Sequence, residues 1–225
     1  MPTNLSPTKS DIAIGLVKAA VNAIPAVGGP LGSLMGDFIP TELDKRRDSL
    51  LLELEREFKR LENKINTETL KKPYFISLFL QSFRSAMAAE EKEKLDCYKA
   101  IIINSALIQE PNIDEMKIML RITDNLTPLH IKLLKIFIDP PEYLEENPDI
   151  KTRFGNISMG GVSTLTSAAL PNYSSDLTNI ASKDLESMGL ANGLSGKVTM
   201  TVHGILSSRI TDFGKKYISF ISLSG

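Results

Sequence analysis

The sequence predicts a mainly α-helical protein in three parts: an apolar helical hairpin over residues 1–40, a helical bundle over 41–125, and a C-terminal module of helices with one small β-hairpin over 126–225. Three observations predict it. Apolar residues recur at spacings of three and four through most of the chain, the period of a single helix face. Proline or a capping residue stands at the head of successive periodic runs. An alternating apolar and polar run from Lys197 to His203 marks the hairpin.

The bulk numbers bound what such a chain can be. With 225 residues, 42% hydrophobic and 24% charged, it can bury a real core as one large domain or two small ones. Twenty-six Lys and Arg stand against 27 Asp and Glu, a formal net charge of -1, so no global positive field draws the protein to phosphate or anionic lipid. Any basic surface must be local. A single cysteine, Cys97, cannot form an internal disulfide and is expected as a small buried apolar side chain on a helix. The opening residues MPTNLSPTKSD lack the charged start, apolar block and cleavage site of a secretory signal, and a cytoplasmic location is expected.

The first part is the most unusual. Between Lys18 and Asp37 there is no charge, while Gly and Pro are frequent. A helix is predicted from about Ser10 to Ile24, with Ser10 as N-cap and Asp11 in the first turn, before Pro25, Gly28, Gly29 and Pro30 break it. Gly28, Gly32 and Gly36 then repeat a spacing of four that Gly15, Ala19 and Ala23 show upstream. Such a stripe of small residues lets a second helix approach closely, as in many membrane helices. A spanning helix wants roughly 20 apolar residues. This run carries Asn22 and is broken in its middle, so a hairpin buried in a soluble core is the preferred reading and a membrane-seeking hairpin over residues 11–39 the alternative. Gly28, Gly32 and Gly36 are its candidate contact positions.

Behind Pro40, Leu50, Leu54, Phe58, Leu61 and Ile65 form the stripe of an amphipathic helix whose other faces are charged. Lys45, Arg46 and Arg47 are flanked by Asp44 and Asp48 and read as a solvated face rather than a nucleic-acid patch. Pro73 opens a second helix with Phe75, Leu78, Phe79, Phe83, Ala86 and Met87 on a broad face. Lys94 to Ile108 supplies a third, burying Leu95, Tyr98, Ile101, Ile102, Ala106 and Leu107. Asn112 caps a fourth, with Met116, Met119, Leu120 and Thr123 inward. Short connections make these a bundle.

In the third part, Thr127-Pro128 starts a helix with Leu129, Leu133, Leu134, Phe137 and Ile138 buried, and Asp139-Pro140-Pro141 stops it. Glu142 to Gly161 is expected as a long polar connection. A short helix follows over Val162–Leu170. A longer one runs from Asp176 to Met188, with Leu177, Ile180, Ala181, Leu185 and Met188 as its apolar face and Gly189 as a left-handed C-terminal cap. Lys197–His203 and a second strand around Ser208–Ile210 are expected to form a hairpin, and Thr211 caps a last helix. Helix, helix, helix, hairpin, helix is the plan of a winged helix-turn-helix. A recognition helix gains affinity by neutralising phosphates. Here that helix carries Asp176, Asp184 and Glu186 against Lys183 alone, which favours protein contact over duplex binding. Lys197, Arg209, Lys215 and Lys216 are read as solvated surface.

No catalytic, metal or cofactor constellation is legible. The only candidate bases, His130 and His203, lack a cysteine or second histidine at ligand spacing. The Gly28–Gly36 stretch lacks the Lys-Ser or Lys-Thr ending of a P-loop, and Asp149-Ile150-Lys151 has no second acidic partner. The expectation is a protein that is not an enzyme and carries no cofactor.

The stretches GGPLGSLMGDFIP, KLDCYKAIIINSAL, LRITDNLTPLHIKLLKIF, SKDLESMGL and ITDFGKKYISFI, taken in this order, resemble the bacterial abortive-infection alpha proteins. That resemblance covers most of the chain through helix-packing patterns and assigns no functional residue. It implies a part in phage defence or a related stress response. The expected function is therefore that of an interaction protein with a protein partner or self-association, whose winged helix contacts protein and whose hairpin contacts a partner or membrane. The rival is a DNA-binding regulator dimerised by its helical part, with nucleic acid the less favoured partner.

Overall fold

The computed structural model describes residues 8, 9, 11–15, 38–65, 67–195 and 198–223, and the chain divides into two compact, mainly helical units, Met1–Asp124 with Phe220–Gly225, and Asn125–Ser219. At the head of the first unit the Asp11 amide donates to the Thr8 hydroxyl (3.2 Å), and the Thr8 amide donates back to the Asp11 carboxylate (3.0 Å). This reciprocal cap puts the start of the helix at Thr8 rather than Ser10, because only Thr8 stands three residues before an acidic side chain able to return the bond. The predicted break at Pro25–Pro30 and the positions Gly28, Gly32 and Gly36 lie outside the described residues.

Helix α1 (Phe38–Arg60) begins two residues ahead of Pro40, which sits in the first turn where its missing N–H costs nothing. Leu50, Leu54 and Phe58 are buried as the spacing predicts, and Glu55–Lys59 and Glu57–Arg60 pair on the solvated side. A short turn, α2 (Thr67–Leu70), leads to α3 (Pro73–Ala88), α4 (Lys92–Leu107) and α5 (Ile113–Asn125). Helix α4 is central, packed by α1, α2 and α3. Ala100 to Ile103, Ser105 and Ala106 are therefore buried all round, while Leu95 and Leu107, predicted inward, are half-buried. A helix enclosed on every side loses the amphipathic signal from which one buried face can be read.

Three helices of this unit meet at one carboxylate. Asp124 accepts from the Tyr98 hydroxyl (2.9 Å), the Ser85 hydroxyl (3.1 Å) and the Gln81 amide (3.1 Å), joining α3, α4 and α5. Burial, reinforced by the Asp124 hydrogen bond and charge, raises the Tyr98 hydroxyl above the usual tyrosine range, so it stays a donor. Lys94 donates to the Thr123 carbonyl at the negative end of α5. The chain returns to this unit at its end, where the Asn104 side-chain amide donates to the carbonyls of Phe220 (2.8 Å) and Ser222 (3.0 Å).

The second unit contains α6 (Pro128–Ile138), α7 (Pro140–Glu146), α8 (Pro148–Phe154), β1 (Met159–Gly160), α9 (Val162–Ala169), α10 (Ser175–Ser187), β2 (Met200–Thr201), α11 (Val202–Ile205) and α12 (Asp212–Ile221). The polar connection expected over Glu142–Gly161 is largely helical. Asp139 caps α7 by accepting from the Glu142 amide (3.0 Å), each of the two helices opens on a proline, and Leu144, Ile150 and Phe154 are buried. The proline that stops one helix also starts the next.

The predicted hairpin does not form between the segments expected. Met200–Thr201 pairs antiparallel with Met159–Gly160, ahead of α9, and Ile210 instead bridges Ala191. Val202–Ile205 turns helical because the Thr201 hydroxyl accepts from the Gly204 amide. Alternation over Lys197–His203 was thus a true sign for two residues only.

Two glycines fix how α10 joins α12. Gly189 has φ 72°, and beyond it the Leu190 amide donates to the Leu185 carbonyl (2.9 Å), the left-handed termination the sequence predicts. The Leu190 carbonyl then accepts from the Thr211 amide (3.0 Å), and a Cβ on Gly214 would lie 2.1 Å from that same oxygen. Gly214→Ala is expected to lower stability by about 2–3 kcal/mol, measured by urea denaturation, because the blocking atom is backbone and cannot rotate away. An unchanged midpoint would refute the close approach.

Candidate interaction surface

Helix α10 begins at Ser174, whose hydroxyl accepts from the Leu177 amide (3.2 Å), with Asp176 in the first turn. It packs on α6 and α9 within the second unit. The face it buries is Thr178, Ala181, Ser182 and Leu185. Leu177 and Ile180, predicted inward, are instead 47% and 56% exposed, on the outer face with Asp176 and Lys183. The reason lies in the small residues. The Thr178 hydroxyl donates to the Ser175 carbonyl (3.0 Å) and the Ser182 hydroxyl to the Thr178 carbonyl (2.8 Å), so both are buried without an unmet polar group. At positions 178, 181 and 182 the small side chains permit a close approach, with Leu185 the one large apolar residue on the buried face.

The predicted acidic character of this helix is divided in the same way. Asp176 is exposed, and Asp184 is half-exposed with its carboxylate 3.4 Å from His130 Nε2. Glu186 turns back into the unit, where it accepts from the Leu194 amide (2.7 Å), the Ser195 amide (3.2 Å) and the Ser195 hydroxyl. Burial pushes its carboxyl up, but the hydrogen bonds from Ser195, Leu194 and Gly193 outweigh this and hold it below the usual glutamate value. Glu186 thus organises the turn after α10. Of the four positions singled out on this helix, Asp176, Lys183 and Asp184 share the outer side with Leu177 and Ile180, and Glu186 does not.

Two of the basic positions are engaged by neighbours within their own unit. Arg209 donates to the Gly204 carbonyl and contacts the Met200 sulfur (2.9 Å), so it braces α11 against β2. Lys215 pairs with Asp212 (3.2 Å), and Lys197 lies outside the described residues. His130 is 7% exposed. The Thr127 amide donates to its Nδ1 (3.1 Å), which therefore bears no proton and leaves Nε2–H facing Asp184. His203 is exposed, and Cys97 is buried in the first unit. Among the described residues, no three His, Cys, Asp or Glu side chains gather as a metal site, and no helix is long and apolar enough to cross a membrane.

No protein-family model, curated protein or solved structure matches the chain. The outer face of α10 therefore has to be interpreted from its own chemistry. Sequence reasoning missed Leu177 and Ile180 as surface residues because it assigned the large apolar side chains to the core. The small residues Thr178, Ala181 and Ser182, recurring with Leu185 at the same helical period, were the available contrary signal.

Glu186→Gln is expected to destabilise the unit by about 1 kcal/mol at neutral pH through loss of the charged acceptor. A carboxyl held below its usual value contributes stability that is complete above the unfolded pKa near 4.5 and is lost as pH falls through the folded one. The gap between variant and parent should therefore stay constant above the unfolded value and narrow progressively as pH is lowered below about 4.5, measured by urea denaturation at each pH. A gap that stays constant below that value as well contradicts the assignment.

Proposed function

We propose that the chain is a non-enzymatic interaction protein, acting in phage defence or a related stress response, whose second unit is a winged-helix variant that contacts protein through the outer face of α10. The observation that carries this reading is the exposure of Leu177 and Ile180 side by side at the centre of that face. Isolated surface apolar residues need no explanation, but a pair on the helix that such a module presents to its target does. A duplex-reading helix draws its affinity from phosphate neutralisation, and this face offers Lys183 between two carboxylates. The winged-helix assignment is supported by the order α6, β1, α9, α10, β2, α12, into which α7 and α8 are inserted after α6 and α11 after β2, and by the antiparallel β1–β2 pair. Phage defence rests on the resemblance of the five helical stretches to the abortive-infection alpha proteins.

A photo-crosslinking amino acid in place of Ile180 should give protein adducts in cells, and the same group in place of exposed Glu146 on α7 should not. Ile180→Asp should leave the thermal transition within about 0.5 kcal/mol of the parent, because the site is exposed. It should also reduce protection of a phage-challenged host at least about tenfold in plaque counts. Duplex binding with a negative slope of log affinity against log salt, abolished by Lys183→Glu, would overturn the reading.

A further inference from the structure

We propose that the outer face of α10 pairs with the same face of a second copy of this chain, the two helices running antiparallel about a dyad between Asn179 and Ile180. The inference rests on the reading of this face as a protein contact and names its partner. Asp176 and Lys183 are seven residues apart, which at 3.6 residues per turn places them on one line along the helix, about 10 Å apart, with Ile180 between them. Both are exposed and they carry opposite charges. In a two-fold contact the same patch serves both copies, so the face must complement itself.

An antiparallel alignment meets that condition. Residues equally distant from the dyad then lie at the same height along the contact, and because Asp176 and Lys183 share one line of the helix, Asp176 of each copy meets Lys183 of the other. Leu177 and Ile180 of both copies lie between the two ion pairs. A parallel alignment would set Asp176 against Asp176 and Lys183 against Lys183, and is excluded by the same charges. The contact is closed by its symmetry and gives a pair rather than a filament.

The test uses the full-length protein in sedimentation equilibrium over a wide concentration range at low salt. The wild type is expected to show a concentration-dependent monomer–dimer equilibrium that weakens as salt is raised. Asp176→Lys and Lys183→Asp should each raise the dimer dissociation constant about tenfold, since two exposed attractive pairs become repulsive. An equimolar mixture of the two variants should recover the dimer, because one face then carries two lysines and the other two aspartates. A wild type monomeric at every concentration, a dimer that survives Ile180→Asp, or a mixture no stronger than its components would each overturn the pairing. Adducts from position 180 that join two copies support it. Adducts with other proteins alone overturn it but leave the protein-contact reading intact, whereas duplex binding through Lys183 removes both.

Discussion

The carbonyl of Leu190 is the point from which the second unit takes its arrangement. Leu190 is fully buried immediately after the left-handed turn at Gly189, and its oxygen accepts from the Thr211 amide while the α-carbon of Gly214 passes close by. The end of α10 is thereby fixed to the start of α12, and the rotation of α10 about its own axis is set. That rotation decides which side chains meet α6 and α9 and which meet water. A larger residue at position 214 would act on the outer face of α10 without touching it, by changing the angle at which the helix is held.

Given this constraint, the composition of α10 has a physical logic that inverts the usual one. Its buried face is built of Thr178, Ala181, Ser182 and Leu185, and the hydroxyls of Thr178 and Ser182 are satisfied by carbonyls of the preceding turn. Small side chains allow close helix approach, and internal hydrogen bonding removes the penalty of burying them. Leu177 and Ile180 are left where packing does not require them. About half of each side chain stays open to water, and a pair of them on one helix face is apolar area that a contact could cover.

How much of this was legible follows from the kind of signal each element gave. Elements announced by local chemistry were legible: Thr127-Pro128, Asn112, Gly189 and Thr211 each mark a helix end found at or beside the expected residue. The buried stripe of α1 was legible too, since a helix with one wet side keeps its period. What failed depended on tertiary context. Two residues of alternation at Met200–Thr201 could not reveal that their partner is Met159–Gly160, some forty residues earlier in the chain. Pro140 was taken as a breaker and Pro148 fell within the expected polar connection, although each opens a helix whose apolar residues are too few to register as a period. On α10 two opposite faces shared the helical period, and size was the wrong criterion for choosing between them.

Counting charge along α10 also overstated its acidity. Glu186 is committed to the turn at Leu194 and Ser195, and Asp184 stands beside His130, so the outer face is close to balanced between Asp176 and Lys183. What remains is apolar area, and its magnitude sets the kind of contact it can make. Fully burying a leucine or isoleucine contributes roughly 1.5–3 kcal/mol, and Leu177 and Ile180 are each about half covered already. Four such side chains across a two-fold contact therefore contribute roughly 3–6 kcal/mol, which only about matches the lower estimates of the cost of association, 4–15 kcal/mol. An interface in that range would be weak and reversible, and small charge terms would decide its alignment and its salt dependence. The two ion pairs at its edges would thus matter for specificity more than for strength, and local concentration would control whether the face is paired or open.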